Sequence, residues 1–262
     1  MRFRRPASLL LAALLLAGCQ GQVPNAPPEN ALTADLVNWR NGLALLKEGR
    51  VDEAIQLLKR ARESYPRDPN VPNTLGLALL AKKEYTLAIK AFDDTLRLDP
   101  TFVQAANNKG VTLMEMDRLA EAEAIFQAIL DGEPTREKAN AQFNLGLIRV
   151  RQERLVDAER HFSLVLADDP KYLAAYRERG LVRVRRDDFR GALDDLLRYL
   201  RDEPKDPAAN YNAALCLLAS GHRDLATRYM ERVVAAAPDS EEAGRARRFL
   251  AGEAPTESRR TP

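Results

Sequence analysis

One spacing governs this chain. Pro66, Pro100, Pro134, Pro170, Pro204 and Pro238 follow one another at intervals of 34, 34, 36, 34 and 34 residues. Ala54, Ala88, Ala122, Ala158, Ala192 and Ala226 keep the same steps, as do Gly42, Gly76, Gly110, Gly146 and Gly180, with Ala214 completing the series. Six prolines in six prescribed places have a chance probability on the order of 10⁻⁸ at average proline usage. A fixed period of this length marks a repeat architecture, in which each unit buries its apolar face only against its neighbours. The composition agrees with helices. Aromatics make up 6% of the 262 residues and charged residues 30%, with Ala, Leu, Arg and Glu abundant.

The same numbers exclude several classes. A hydrophobic fraction of 45% excludes wholesale disorder. The single strongly apolar run is too short for a multi-span membrane protein. Forty basic against 38 acidic residues leave no global field for nucleic acid. Two cysteines cannot form a disulfide scaffold, and two histidines, His161 and His222, share no predicted helix face for zinc.

Within each period a small residue stands at position 8 and Ala at position 20, and position 24 carries Leu58, Phe92, Phe126, Phe162, Leu196 or Met230. This pattern resembles the tetratricopeptide repeat (TPR), two antiparallel helices whose close approach needs the small residues and whose gap the large one fills. The resemblance implies an all-α fold: a right-handed superhelical solenoid of six helix-turn-helix repeats over 35–238, with repeats at 35–68, 69–102, 103–138, 139–172, 173–206 and 207–238. The proline at position 32 ends the second helix. Two extra residues fall within 135–138. Positions 4 and 11 depart from the family pattern, with Arg149 and Arg183 at position 11. Residues 239–251 suit a capping helix, and 252–262 a disordered tail. Cys216, among Ala and Leu, reads as a buried free thiol.

The first residues read as an address. Arg2, Arg4 and Arg5 precede an Ala/Leu run that ends in Leu16-Ala17-Gly18-Cys19. This resembles the bacterial lipobox. The resemblance implies a signal peptide at 1–18, cleavage before Cys19, and a diacylglycerol thioether on its sulfur. Two or three acyl chains give stable anchoring where one does not. Gln20 in place of Asp implies export to the outer membrane, and a lipid-anchored, periplasm-facing chain is the expectation, with surface exposure left open by the sequence. Removing 1–18 moves the formal net charge from +2 to −1. Residues 20–34 are rich in Pro, Asn and Ala, so 19–34 reads as lipidated Cys plus flexible tether.

No nucleophile, metal or phosphate motif is present, so a non-enzymatic protein without cofactors, apart from the lipid, is expected. Acidic doublets such as Asp194-Asp195 read as solvated outer surface. In TPR proteins, positions 2, 5, 6, 9, 12 and 13 of the first helix line the concave groove. Here positions 5 and 6 carry Asn73, Asn107, Asn108, Asn144 and Asn212, whose amides can grip an extended peptide backbone. Merely solvated asparagines fit equally well. Positions 9 and 12 are apolar in all six repeats. Half of that signal fits packing and half an apolar trough with Trp39, Phe143 and Tyr211 as aromatic anchors. Arg151, Arg177 and Arg185 fall on the same face, where they meet either an acidic partner segment or nearby Glu153, Asp187 and Asp188.

Lipobox, short tether, six repeats, the lengthened junction and the RYLRDEP ending of repeat five (Arg198 to Pro204) together resemble the secretin pilotins of type IV pili, the PilF/PilW and Tgl lipoproteins. The disulfide that PilW-like members can carry has no counterpart here. The resemblance implies a protein that helps an outer-membrane secretin to multimerise. The alternative is a periplasmic adaptor that recruits cell-wall enzymes.

Overall fold

The structure, a computed structural model, describes residues 34–133 and 135–253. The expected signal peptide, Cys19, nearly all of the tether, Pro134 and residues 254–262 of the tail lie outside the described residues. The described chain is all-α, with thirteen helices. They are α1 (Ala34–Lys47), α2 (Val51–Ser64), α3 (Asn70–Ala81), α4 (Tyr85–Leu98), α5 (Val103–Glu115), α6 (Leu119–Asp131), α7 (Glu137–Arg151), α8 (Leu155–Asp168), α9 (Leu173–Arg185), α10 (Phe189–Leu200), α11 (Pro207–Ala219), α12 (Arg223–Ala236) and α13 (Glu241–Leu250). Twelve of them form six pairs, one pair per repeat, and α13 follows the last.

Two compact units divide the chain, residues 1–137 and 138–262. The division falls where the period is longer by two residues. In the first unit α1 to α6 stack in chain order, each helix against the next; in the second, α8 to α13 do the same.

Each pair closes on one contact. The position-20 alanines Ala54, Ala88, Ala122, Ala158, Ala192 and Ala226 have no exposed surface, and neither have Phe92, Phe126, Phe162, Leu58, Leu196 and Met230 at position 24. A Cβ built on Gly76 would stand 2.5 Å from the Phe92 ring, on Gly110 2.7 Å from Phe126, and on Gly146 2.6 Å from Phe162. The glycine therefore gives the ring room to lie on the partner helix backbone. Where position 8 is Ala214, position 24 is the adaptable Met230.

The turn inside every pair is the same device. Gly49, Lys83, Asp117, Glu153, Asp187 and Gly221 all occupy repeat position 15, and all have φ between 60 and 79°. The next residue's N–H then donates to the carbonyl five residues back, as Arg50 to Leu45 (2.9 Å) and Glu84 to Leu79 (2.8 Å). This left-handed C-cap satisfies carbonyls that the helix end leaves open and reverses the chain in few residues. The period in proline and alanine does not reveal this position, because only two of its six residues are Gly.

At the C-terminal end α13 lays Ala243, Ala246 and Phe249 on Tyr211, Ala214, Met230 and Val233. Ser240 caps it by accepting from the Ala243 N–H at 3.1 Å. Gly252 (φ 95°) and the Glu253 N–H, which donates to the Arg248 carbonyl, close its other end. The first two residues of the expected tail thus complete a helix cap.

Cys216 is fully buried in the cluster of Ala192, Leu196, Tyr199 and Ala213. Burial pushes its thiol up to about 12. At pH 8 the thiolate fraction is roughly one in ten thousand. The native protein should therefore resist an Ellman-type reagent over hours and react only on unfolding. Rapid native labelling of this thiol would contradict the burial.

Candidate protein-binding face

The face in question is carried by the first helix of each pair: α1, α3 and α5 in one unit, α7, α9 and α11 in the other. Its asparagines fall into different situations. Asn73 and Asn108 are half-buried and meet across a repeat step, the Asn108 amide donating to Asn73 Oδ1 at 3.4 Å. Asn107 is half-buried beside them and already engaged. Asn144 is only 9% exposed and likewise engaged. Asn212 turns back on its own helix, donating to the Ala208 carbonyl at 2.8 Å. In the first unit the structure thus brings Asn73 on α3 together with Asn108 on α5, with Asn107 next to it in the chain.

The three aromatics expected as anchors are packed in the core. Trp39, Phe143 and Tyr211 are 6%, 2% and 3% exposed. Trp39 spans one repeat step to donate its indole N–H to Thr74 Oγ1 at 3.0 Å. Phe143 stacks between Phe162 and Tyr172, with ring centroids 5.4 and 5.2 Å away. Tyr211 lies under α13. The physical reason is that position 5 faces the seam between consecutive repeats, and a large apolar ring there gains more by filling the seam than by facing water. The apolar trough shrinks on the same ground. Leu77, Leu80, Val111 and Met114 are buried, and the other eight residues at positions 9 and 12 are half-buried.

The arginines are also spoken for. Arg177 Nε donates to Asp206 Oδ2 at 2.8 Å, and its guanidinium also meets Glu178. Tyr199 donates its hydroxyl to the same Asp206 oxygen at 3.0 Å. Burial, with Asp206 alongside, raises the Tyr199 phenol above its ordinary value. Burial also raises the Glu178 carboxyl, against the pull of Arg177. Arg185 pairs with Glu153 on the preceding repeat, and Arg151 has partners of its own. Glu153 is one of the carboxylates the sequence offered, but Arg185 reaches it across a repeat; Arg177 pairs both within its helix, with Glu178, and across to Asp206.

A second network was not legible beforehand. Asp195, read as solvated, is 4% exposed. It accepts from Arg179 (2.8 and 2.7 Å) and from Arg183 (2.8 Å), and Arg183 also reaches Glu159 at 2.8 Å. Arg183 is the departure at position 11, so the missing apolar residue is replaced by an ion-paired one. Among the described residues, no group of three His, Cys, Asp or Glu could hold a metal. His161 Nδ1 lies 3.0 Å from the Gln142 amide, and His222 precedes α12.

What this face presents is a set of half-buried amides and aliphatic side chains, with Asn73, Asn107 and Asn108 on α3 and α5. It is suited to backbone hydrogen bonding and shallow apolar contact.

Comparison with known proteins gives the same frame. Among curated proteins, subunit 3 of the anaphase-promoting complex of Schizosaccharomyces pombe is 23% identical over 192 residues, which is 72% of this chain and 29% of that one. Protein FlbA of Caulobacter vibrioides is 31% identical over 146 residues, 53% of this chain and 24% of its own length. The chain thus spans less than a third of these relatives. Two solved structures match more evenly. PilF of Pseudomonas aeruginosa superposes with a TM-score of 0.72 at 20% identity, over 84% of this chain and 98% of that one. PilW, described as a widely conserved type IV pilus biogenesis factor, gives 0.71 at 20% identity, over 84% and 100%. At that identity the likeness is one of fold. Tetratricopeptide repeat models match residues 40–101, 73–136 and 107–172, and again 183–248. With its helix pairs, glycine-seated rings and common turn now placed, the chain belongs to the tetratricopeptide repeat family of protein-interaction scaffolds.

Proposed function

We propose that this protein is a lipid-anchored scaffold at the periplasmic side of the outer membrane, and that it holds a segment of a secretin subunit while the type IV pilus pore assembles. The observation that carries the reading is the fold likeness to PilF and PilW over essentially their whole lengths. The Leu16-Ala17-Gly18-Cys19 lipobox supports the anchor. In this reading the thioether lipid on Cys19 is the only prosthetic addition. Confinement to a membrane raises the scaffold's effective concentration near inserting subunits. The Asn73, Asn107 and Asn108 band on α3 and α5 is the binding surface this reading favours, because its half-buried amides stand together on neighbouring first helices.

The test is an immunoblot for heat- and SDS-resistant secretin multimers in a deletion strain, beside wild type and a Cys19→Ala complement. The expected result is loss of multimers with monomer still present, and at most partial recovery with Cys19→Ala. Unchanged multimers in the deletion strain would overturn the pilus reading. Co-purification of cell-wall enzymes from the envelope would then favour the adaptor role.

A further inference from the structure

The second helices of the second unit carry an outward face that nothing described so far uses. In α8, α10 and α12, positions 20, 24 and 27 turn inward, burying for example Ala226, Met230 and Val233. At 100° per residue, positions 18, 22 and 26 point the opposite way. Over the three helices those nine places hold Arg160, Arg190, Arg198, Arg228 and Arg232, with Asp194, Asp224, Val156 and Leu164. All but Arg198, which is half-buried, are exposed. Five arginines against two aspartates leave three positive charges unbalanced. The equivalent places in α2, α4 and α6 balance exactly two cations with two aspartates and are otherwise neutral. The charge therefore belongs to this unit and is not a trait of the repeat.

Its arginines also behave differently from their neighbours. Arg177, Arg179, Arg183, Arg185 and Arg186, on α9 and its end, each bridge to a carboxylate. Among the described residues, none of the five outward arginines has an ion pair; Arg232 lies over the Tyr229 ring, 4.7 Å from its centroid. Asp194 stands four residues from both Arg190 and Arg198, yet bridges neither. Val156 and Leu164, one turn to either side of Arg160 on α8, are 66% and 48% exposed.

We propose that this outward face of α8, α10 and α12 docks on an anionic lipid surface, with its guanidinium groups on headgroup phosphates and Val156 and Leu164 in the interfacial layer. Guanidinium matches phosphate with paired donors and is weakly hydrated, so it gives up water for phosphate readily. The five groups stand on three separate helices of an outward face. That spacing suits a ligand present at many points of a surface better than a single acidic peptide. Exposed aliphatic groups between cations gain from the acyl boundary and gain nothing from a polyanion in water.

The proposal stands without the Cys19 anchor, and its test removes that anchor so that the two ideas fail separately. The mature chain, residues 19–262 made without lipid, retains every described helix. It is floated with phosphatidylcholine vesicles containing one-third phosphatidylglycerol, and with pure phosphatidylcholine. Binding to the anionic vesicles alone is expected, weakening as salt is raised. A triple variant, Arg160→Gln, Arg198→Gln and Arg232→Gln, should bind about a hundredfold more weakly, from roughly fivefold per cation near such a surface. The matching Arg→Lys triple should keep most of the binding, with both variants as helical as the parent by circular dichroism. No binding to anionic vesicles, or equal binding by the Gln triple, would overturn the proposal. So would binding of soluble polyglutamate in preference to vesicles, lost in the Gln triple, which would assign the face to an acidic protein segment.

Discussion

Phe162→Ala should lower the stability of the chain by about 3–5 kcal/mol in urea unfolding followed by circular dichroism. The ring has no exposed surface, sits on the backbone of α7 at Gly146, and is braced by Phe143 at 5.4 Å. Its removal leaves a void that two stiff helices cannot close. Gly146→Ala should also destabilise, by roughly 1–3 kcal/mol, because the new methyl would stand 2.6 Å from a ring with no room to retreat. The informative experiment is the combination. Once Phe162 is gone, Gly146→Ala meets no obstacle and should become neutral or stabilising, by up to about 1 kcal/mol from helix propensity. The same cost in both backgrounds would show that the glycine is not there to seat the ring.

Asp206→Ala is expected to cost about as much, for a different reason. One carboxylate serves three elements. Its Oδ1 caps α11 by accepting from the Ala209 N–H at 2.8 Å. Its Oδ2 accepts from Arg177 on α9 and from Tyr199 on α10. Arg177 is 9% exposed, so without Asp206 it would keep only Glu178 to offset its charge. Stranding one partner of a buried pair typically costs about 3–5 kcal/mol, and losing a helix cap about 1 kcal/mol. Asp206→Asn keeps the capping oxygen but sets an amide NH2, a donor, where Oδ2 accepted from Arg177 and Tyr199, so it should recover only the cap, about 1 kcal/mol. Glu153→Gln is the control. It breaks the Arg185–Glu153 pair, whose side chains are 36% and 58% exposed, and should change stability by less than about 1 kcal/mol. Equal effects for Asp206→Ala and Glu153→Gln would contradict the ranking by burial.

Both results bear on how the chain binds a partner. A solenoid presents a surface whose shape depends on how firmly each repeat holds the next. The Arg177–Asp206–Tyr199 junction fixes repeat five to repeat six, and the Asp195 network ties α8, α9 and α10 together. The arginines of α9 are committed to that stiffness, whereas those on the outward face of α8, α10 and α12 are not.

The sequence by itself determined the helix pairs, their number and the contact inside each one. Those follow from residues a fixed distance apart on two helices joined by a short turn: glycine at position 8, alanine at 20, a large side chain at 24. Local geometry leaves such residues one way to meet. Only the tertiary structure decided what the remaining positions do. Trp39 and Thr74 are 35 residues apart, Asn73 and Asn108 also 35, and Arg177 and Asp206 29. The period tells which way each side chain points from its own helix. It does not tell how deeply the next repeat covers that side chain, because coverage depends on the sizes and charges on both sides of the seam. Hence aromatics that look like anchors become core, and arginines of one stretch divide into those held between helices and those left facing out. Burial and ion pairing are properties of the stacked neighbours, and the chain acquires them only when the repeats close on one another.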